Sequence, residues 1–380
     1  MKIALTDEQE QRRLGFERFV RKEIVPNADH WDRVEKLPLD LISHLAAEGY
    51  LAPHLPADYG GQALDMISCG LLHQEMGKGC ASTRSLLTVT EMVAEAIYRV
   101  GSEDQKQHWL NRLVTGKTIA AFCLTEPNVG SDAKSVETVA NQVNKGYKLG
   151  GRKKWISFGQ IADLFLIVAR IDDRPSAFLV ERDTPGLSVE PISGLLGNRA
   201  SMLAEIHLND CLVPLENMLG KPGLGFTLVA NSALDLGRYS VAWGCVGLAQ
   251  ACLESSIEYS AQRKQFGKSL GDQQLIREMI TNMIANVKAA RLLCLHAGFL
   301  KESRDPTSIR ETLVAKYFAS RIANTVASDA VQIHGALGCG PDVPVQRHFR
   351  DAKIMEIIEG STQIQQLTIA KYGYQEYGEP

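Results

Sequence analysis

Charge of one sign is scarce in this 380-residue chain: 41 basic residues face 44 acidic ones, for a formal charge of −3, and no long run of either sign occurs. Without a basic stripe there is no electrostatic footprint for nucleic acid or an anionic membrane surface. Uninterrupted apolar runs of membrane-spanning length are missing, and the first thirty residues lack an apolar signal core, so a cytoplasmic location is the expectation. The eight cysteines (Cys69, Cys80, Cys123, Cys211, Cys245, Cys252, Cys294, Cys339) form no CxxC pair and read as reduced core thiols. No HxxxH or HExxH pair occurs among the nine histidines, which argues against a metal site. A GxGxxG turn after a strand, a P-loop, a GxSxG elbow and internal repeats are also absent. The short cluster Arg152-Lys153-Lys154 reads as a solvated turn.

What is present is a core-forming chain, 45% hydrophobic, whose periodicity changes twice. Thr6-Asp7-Glu8-Gln9 is a capping box, and Phe16, Phe19, Val20 and Ile24 fall on one helical face before Pro26. Helical spacing continues to about residue 118, interrupted by the Pro- and Gly-marked loop "APHLPADYGG". Short strand-like runs separated by Gly, Pro and Asp turns follow over 119–230. Long helical stretches return over 231–380, one of them rich in small residues, "YSVAWGCVGLAQACLESS", where helices should pack closely. The predicted fold is mainly α with a central β domain, and the lack of βαβ alternation argues against a parallel sheet.

Two stretches invite chemistry. "CLTEPNVGSD" leaves a strand into a turn that exposes N–H groups and hydroxyls to carbonyl or phosphate oxygens, although an ordinary hairpin turn has the same appearance. "IMEIIEGSTQIQ" sets Glu359 beside Ile357 and Ile358, where loss of water should raise its pKa from about 4.3 toward neutrality, the range in which a general base works best. Thr362-Gln363-Ile364-Gln365 resembles a capping box, so a helix should begin just after the acid.

"LTEPNVGSD", "KKWIS", "QRKQFGKSL", "VQIHGALG" and "RDAKIMEIIEGS" occur in that order in one chain, together with the "PADYGG" loop. In this the sequence resembles the acyl-CoA dehydrogenase family along its whole length. The resemblance implies an N-terminal helical domain, a middle β-barrel-like domain and a C-terminal four-helix bundle, assembled as a homotetramer or homodimer around FAD. It also implies oxidation of an acyl thioester, in which a glutamate takes the α proton and the β hydrogen leaves as hydride to flavin N5. Carried residue by residue, it gives Glu359 as the catalytic base. Phe122, Leu124, Thr125, Gly130, Ser131, Trp155 and Ser157 would cover the flavin. Trp155 alone would pass for a core aromatic. Arg263, Gln265, Phe266 and Gln274 would reach FAD from a neighbouring subunit, with Gln332, Ile333, Gly335, Ala336, Ser361 and Gln363 also on the cofactor. The family's second glycine is Ala336 here, which should narrow the backbone angles at that contact. Ser131, Asp235, Gly237, Arg238 and Gly360 would meet the substrate. In some members the glutamate comes from the helix around Gly237, and glycine at that position leaves Glu359 alone in the role.

"SVAWGCVG" and "MEIIEGS" look closest to dehydrogenases acting on acyl carrier protein in hydroxymalonyl and methoxymalonyl polyketide extender-unit biosynthesis. That resemblance implies a short polar, glyceryl-type acyl group. The alternative is a conventional acyl-CoA dehydrogenase of fatty-acid or amino-acid catabolism, and a non-catalytic scaffold is disfavoured by the intact motifs. The implied acceptor is an electron-transfer flavoprotein or oxygen.

Overall fold

The structure is a computed structural model and describes residues 4–378. Helix α1 (Asp7–Phe19) begins with the reciprocal box expected of its sequence: the Thr6 hydroxyl accepts from the Gln9 N–H, and the Gln9 side chain accepts from the Thr6 N–H. It continues through a π-helical turn, Val20–Ile24, so that Phe16, Val20 and Ile24 enter the core while Phe19 packs at its margin. Helices α2 (Ala28–Val34), α3 (Asp40–Ala47), α4 (Met66–Gly79), α5 (Ala81–Val100) and α6 (Glu103–Val114) follow. Both α4 and α5 are buried along most of their length, polar residues included, because later elements cover them.

Eight strands form one sheet: β1 (Ala120–Cys123), β2 (Val139–Val143), β3 (Gly146–Ile156), β4 (Leu164–Ile171), β5 (Arg174–Glu181), β6 (Leu187–Pro191), β7 (Ala204–Pro214) and β8 (Met218–Leu219). The order is β6-β7-β3-β2-β4-β5-β8, with β1 beside β4. Most pairs are antiparallel, but β1 runs parallel to β4 from Ala120↔Leu164 to Cys123↔Ile167. The chain reaches that parallel pair through β2 and β3 instead of a crossover helix, so the missing βαβ pattern did not forbid it. The first six residues of β4 are all buried, which explains their continuous apolar run.

A π-helical segment, Gly225–Ala230, leads into α7 (Asn231–Gln262). The hairpin β9 (Lys264–Gln265) and β10 (Lys268–Ser269) precedes α8 (Gln274–Glu302), α9 (Ser308–His334), α10 (Val345–Met355) and α11 (Thr362–Tyr377). Helix α7 lies against α4, α5, α8 and α9. The close packing expected of its small residues occurs on the α4 side: a Cβ at Gly77 would stand 2.7 Å from Gly244 Cα, and one at Gly247 would stand 1.8 Å from the Gln74 carbonyl oxygen. Helix α8 is long and apolar enough to cross a bilayer, yet Met283, Val287, Ala290, Cys294 and Leu295 are turned into the bundle. Seven of the eight thiols are buried as expected; Cys339 is exposed, in the short helical turn after α9.

Candidate functional site

Glu359 sits in the six-residue turn between α10 and α11, with a left-handed φ of 54°, followed by Gly360 at 88°. Three side chains hold this turn by its carbonyl groups. Arg238 Nε donates to the Glu359 oxygen at 3.3 Å, Lys316 Nζ to the Gly360 oxygen at 2.8 Å, and Gln365 Nε2 to both at 3.1 and 3.2 Å. Ser361 caps α11 by accepting from the Ile364 N–H, which corrects the cap expected at Thr362 by one residue. The shift frees Gln365 to reach back to the turn, while Thr362 bonds the Glu356 carbonyl.

The turn points the Glu359 carboxyl inward, and its Oε2 is buried with no hydrogen-bond partner among the described residues. A Cβ at Gly237 would stand 2.6 Å from that oxygen and 2.9 Å from Met92 Sδ, so the carboxyl lodges in space that only glycine leaves on α7. Of the two isoleucines expected to wall the acid, Ile357 is 57% exposed and Ile358 packs against the core; Gly237 and Met92 stand beside the carboxyl. Burial pushes the Glu359 pKa up to about 7, against the opposing pull of Arg238, Lys316 and Arg84. Asp235, two residues before Gly237 on α7, is bound by Lys301 Nζ at 2.5 Å.

The turn after β1 is fixed by a residue that the sequence reading passed over. Glu126 accepts from the N–H groups of Glu137 and Thr138, from the Thr138 hydroxyl, and from Lys153 Nζ at 2.6 Å. Lys153 is fully buried within β3, so the basic cluster is not a solvated turn: strand alternation sends Lys153 inward. Burial opposes the charge on Glu126, but Lys153 and the donors around it hold its carboxyl below the usual range. Lys154 N–H donates to the Thr125 carbonyl at 2.9 Å, which brings β3 alongside the turn. Phe122 and Thr125 are half-buried, Leu124 is buried, and Gly130 and Ser131 are exposed. Trp155 is 51% exposed at a φ of 62°, beside a register shift in β3, and Ser157 is half-buried two residues on. A large aromatic held out of the core on left-handed backbone is not packing.

Arg263 ends α7, and Gln265 and Phe266 belong to the short β9–β10 hairpin that follows it. Phe266 stands at its tip, 94% exposed. Gln274 opens α8. Gln332 and Ile333 lie in the last turn of α9, and Gly335 ends it at a φ of 60° with open space where a Cβ would be. Ala336 lies in the following 3-10 turn without positive φ, so the alanine is accommodated without strain. Gln363 is exposed in the first turn of α11. The structure thus brings Glu359, Gly360, Gly237 and Arg238 into contact. It gathers residues 122–131 with Trp155 at a second locus and leaves the hairpin projecting.

Sequence profiles of the acyl-CoA dehydrogenase N-terminal, middle and C-terminal domains match residues 6–117, 121–211 and 223–373. The chain is 38% identical to the probable acyl-CoA dehydrogenase YngJ of Bacillus subtilis, over 98% of this chain and 99% of that one. It is 34% identical to the mitochondrial short-chain specific acyl-CoA dehydrogenase of Rattus norvegicus, over 99% and 92%. Butyryl-CoA dehydrogenase from Megasphaera elsdenii superposes with a TM-score of 0.94 at 35% identity, covering 98% and 99%. FkbI, for biosynthesis of the methoxymalonyl extender unit of the Fk520 polyketide, superposes at 0.87 with 31% identity, covering 96% and 99%. The chain belongs to the acyl-CoA dehydrogenase family, and it is an oxidoreductase acting on CH–CH bonds with FAD as cofactor. Its own residues fit that group: the exposed Trp155 follows Lys154, whose N–H binds the Thr125 carbonyl, and among the described residues no atom lies within 4 Å of a would-be Cβ at Gly130 or Gly335.

Proposed function

We propose that this enzyme dehydrogenates a short acyl thioester between Cα and Cβ, with Glu359 as the base. The observation that carries the reading is the orphaned, buried Glu359 Oε2, raised to about 7 and aimed inward from a turn clamped by Arg238, Lys316 and Gln365. A carboxylate so placed is only partly protonated at neutral pH and has an unused lone pair for the α proton. The three nearby cations oppose the loss of negative charge from this region and favour the enolate-like charge that develops as the proton leaves. FAD supplies the hydride acceptor for the β hydrogen. Thr125, Ser131, Trp155 and Ser157 around the first turn would hold it. Arg263, Gln265, Phe266 and Gln274 would serve a neighbouring subunit's site in a homodimer or homotetramer, with electron-transfer flavoprotein as acceptor.

Similarity to short-chain specific acyl-CoA dehydrogenases and to a butyryl-CoA dehydrogenase favours CoA as carrier and a short chain. A carrier-protein-tethered glyceryl group is the second reading, favoured by the superposition on FkbI and on a prolyl acyl carrier protein oxidase, AnaB, at 29% identity. Anaerobic mixing of the FAD-loaded protein with acyl-CoAs and with a glyceryl carrier protein, following loss of flavin colour, tests both. Bleaching that Glu359→Gln slows by about 10³-fold supports the reading. Unchanged bleaching in that variant sinks it.

A further inference from the structure

Arg84 is a buried charge that the Glu359 site does not account for. It is 1% exposed, and among the described residues no carboxylate lies within 4.0 Å of its guanidinium. Nη1 donates to Thr88 Oγ1 at 2.9 Å and Ser240 Oγ at 3.2 Å; Nη2 has only the Met355 sulfur, at 3.6 Å. A thioether is a weak acceptor, so a strong donor face of the guanidinium has no strong partner. Burying a cation in this way is expensive, and an apolar side chain would fill the same volume at less cost. Helix α7 nonetheless accommodates it with a glycine: a Cβ at Gly244 would stand 2.2 Å from Arg84 Cδ.

The position of Arg84 relative to the base gives the charge a use. Arg84, Thr88 and Met92 are spaced by four on one face of α5, opposite Gly244, Ser240 and Gly237 on α7. Met92 and Gly237 meet at the Glu359 carboxyl, and the Thr88 and Ser240 hydroxyls meet each other at 2.5 Å. Successive members of each row are about one helical turn, roughly 5.4 Å, apart. The polar group therefore begins about a turn from the base, within reach of the far end of a four-carbon acyl chain whose α-carbon lies at Glu359. Met355, which Nη2 touches, ends α10 and leads directly into the Glu359 turn.

We propose that Arg84, with Thr88 and Ser240, receives a hydrogen-bond-accepting oxygen, carboxylate or hydroxyl, at the distal end of the acyl group, so that the enzyme selects oxygen-bearing short acyl thioesters over plain alkyl ones. This deepens the dehydrogenase reading of the Glu359 site and rests on it. The guanidinium supplies donors to either oxygen type, and the Thr88–Ser240 pair continues to His73 Nδ1 at 3.1 Å and from His73 Nε2 to Glu91 at 2.8 Å, which fixes the hydroxyl rotors.

The test uses the FAD-loaded enzyme and three pantetheine thioesters of equal chain length, butyryl, 4-hydroxybutyryl and succinyl, which avoid dependence on CoA or a carrier protein. The expected result is kcat/KM for hydroxybutyryl, succinyl or both at least about 10²-fold above butyryl, as for sites that leave buried donors unpaired with the wrong substrate. The two oxygen arms tell hydroxyl from carboxylate. Arg84→Met should bring the ratio within about tenfold while FAD content is retained. Butyryl turning over as fast as both oxygen arms in the wild type overturns the Arg84 proposal and leaves the dehydrogenase reading standing. Silence with all three, and with acyl-CoAs, overturns both. If Arg84→Met does not fold, the wild-type ratio still decides.

Discussion

Glu359 combines a left-handed backbone, a clamped turn and a solvent-free oxygen, and its titration follows from that environment. Its pKa is about 7 in the fold and near 4.5 when unfolded. The stability tied to its protonated form is fully present below 4.5 and lost as pH rises through 7, on the order of 3 kcal/mol. Glu359→Gln should therefore melt higher than wild type above pH 8 and similarly to it near pH 4, in thermal scans of FAD-loaded protein. Activity has the opposite sign, since Glu359 in its proposed role as base must be deprotonated: kcat/KM should rise through pH 7. Lys316→Met removes a cation that lowers the Glu359 pKa, so it should move that limb to higher pH. Gly237→Ala places a methyl 2.6 Å from the carboxylate oxygen, and the displaced base should lower kcat by about 10²-fold with FAD retained. Glu359 was readable from sequence because its motif is local. Arg84 was not, because on α5 it looks like any polar residue of a helix, and its burial is decided by α7 and α10 arriving from far along the chain.

At the scale of elements, the β1–β2 connection depends on one buried pair. Glu126 collects four donors, and Lys153 crosses from β3 to meet it. Glu126→Ala leaves an unpaired buried ammonium and should cost about 3–5 kcal/mol in denaturant unfolding. The double change Glu126→Leu with Lys153→Met should recover part of that, by removing both charges together. The strand run around Lys153 was readable from its period, but the inward direction of one lysine in a basic trio was not, since only a partner 27 residues earlier makes burial affordable. The cap of α11 was misplaced by one residue for a related reason. Ser361 and Thr362 are both good capping residues, and the choice falls to Gln365, whose amide is drawn to the Glu359 and Gly360 carbonyls.

Across the whole molecule, the succession of helices, sheet and helices was plain in the sequence because each run keeps its own period over many residues. The hairpin after α7 was not, since four strand residues around a turn carry no period. Phe266 at its tip, nearly fully exposed, suits burial against a second subunit. In the proposed oligomer, Phe266→Ala and Arg263→Ala should each lower FAD retention at least about tenfold, read by flavin fluorescence after gel filtration, and Phe266→Ala should also shift light-scattering mass toward smaller species at low protein concentration. Where α4 meets α7, by contrast, Gly77, Gly244 and Gly247 bring main chain against main chain. Such a contact encloses almost no empty volume, and hydrostatic pressure acts on folded proteins through the voids that unfolding eliminates. Compression should therefore loosen the periphery of this protein before it separates the N-terminal helices from the bundle that carries Glu359.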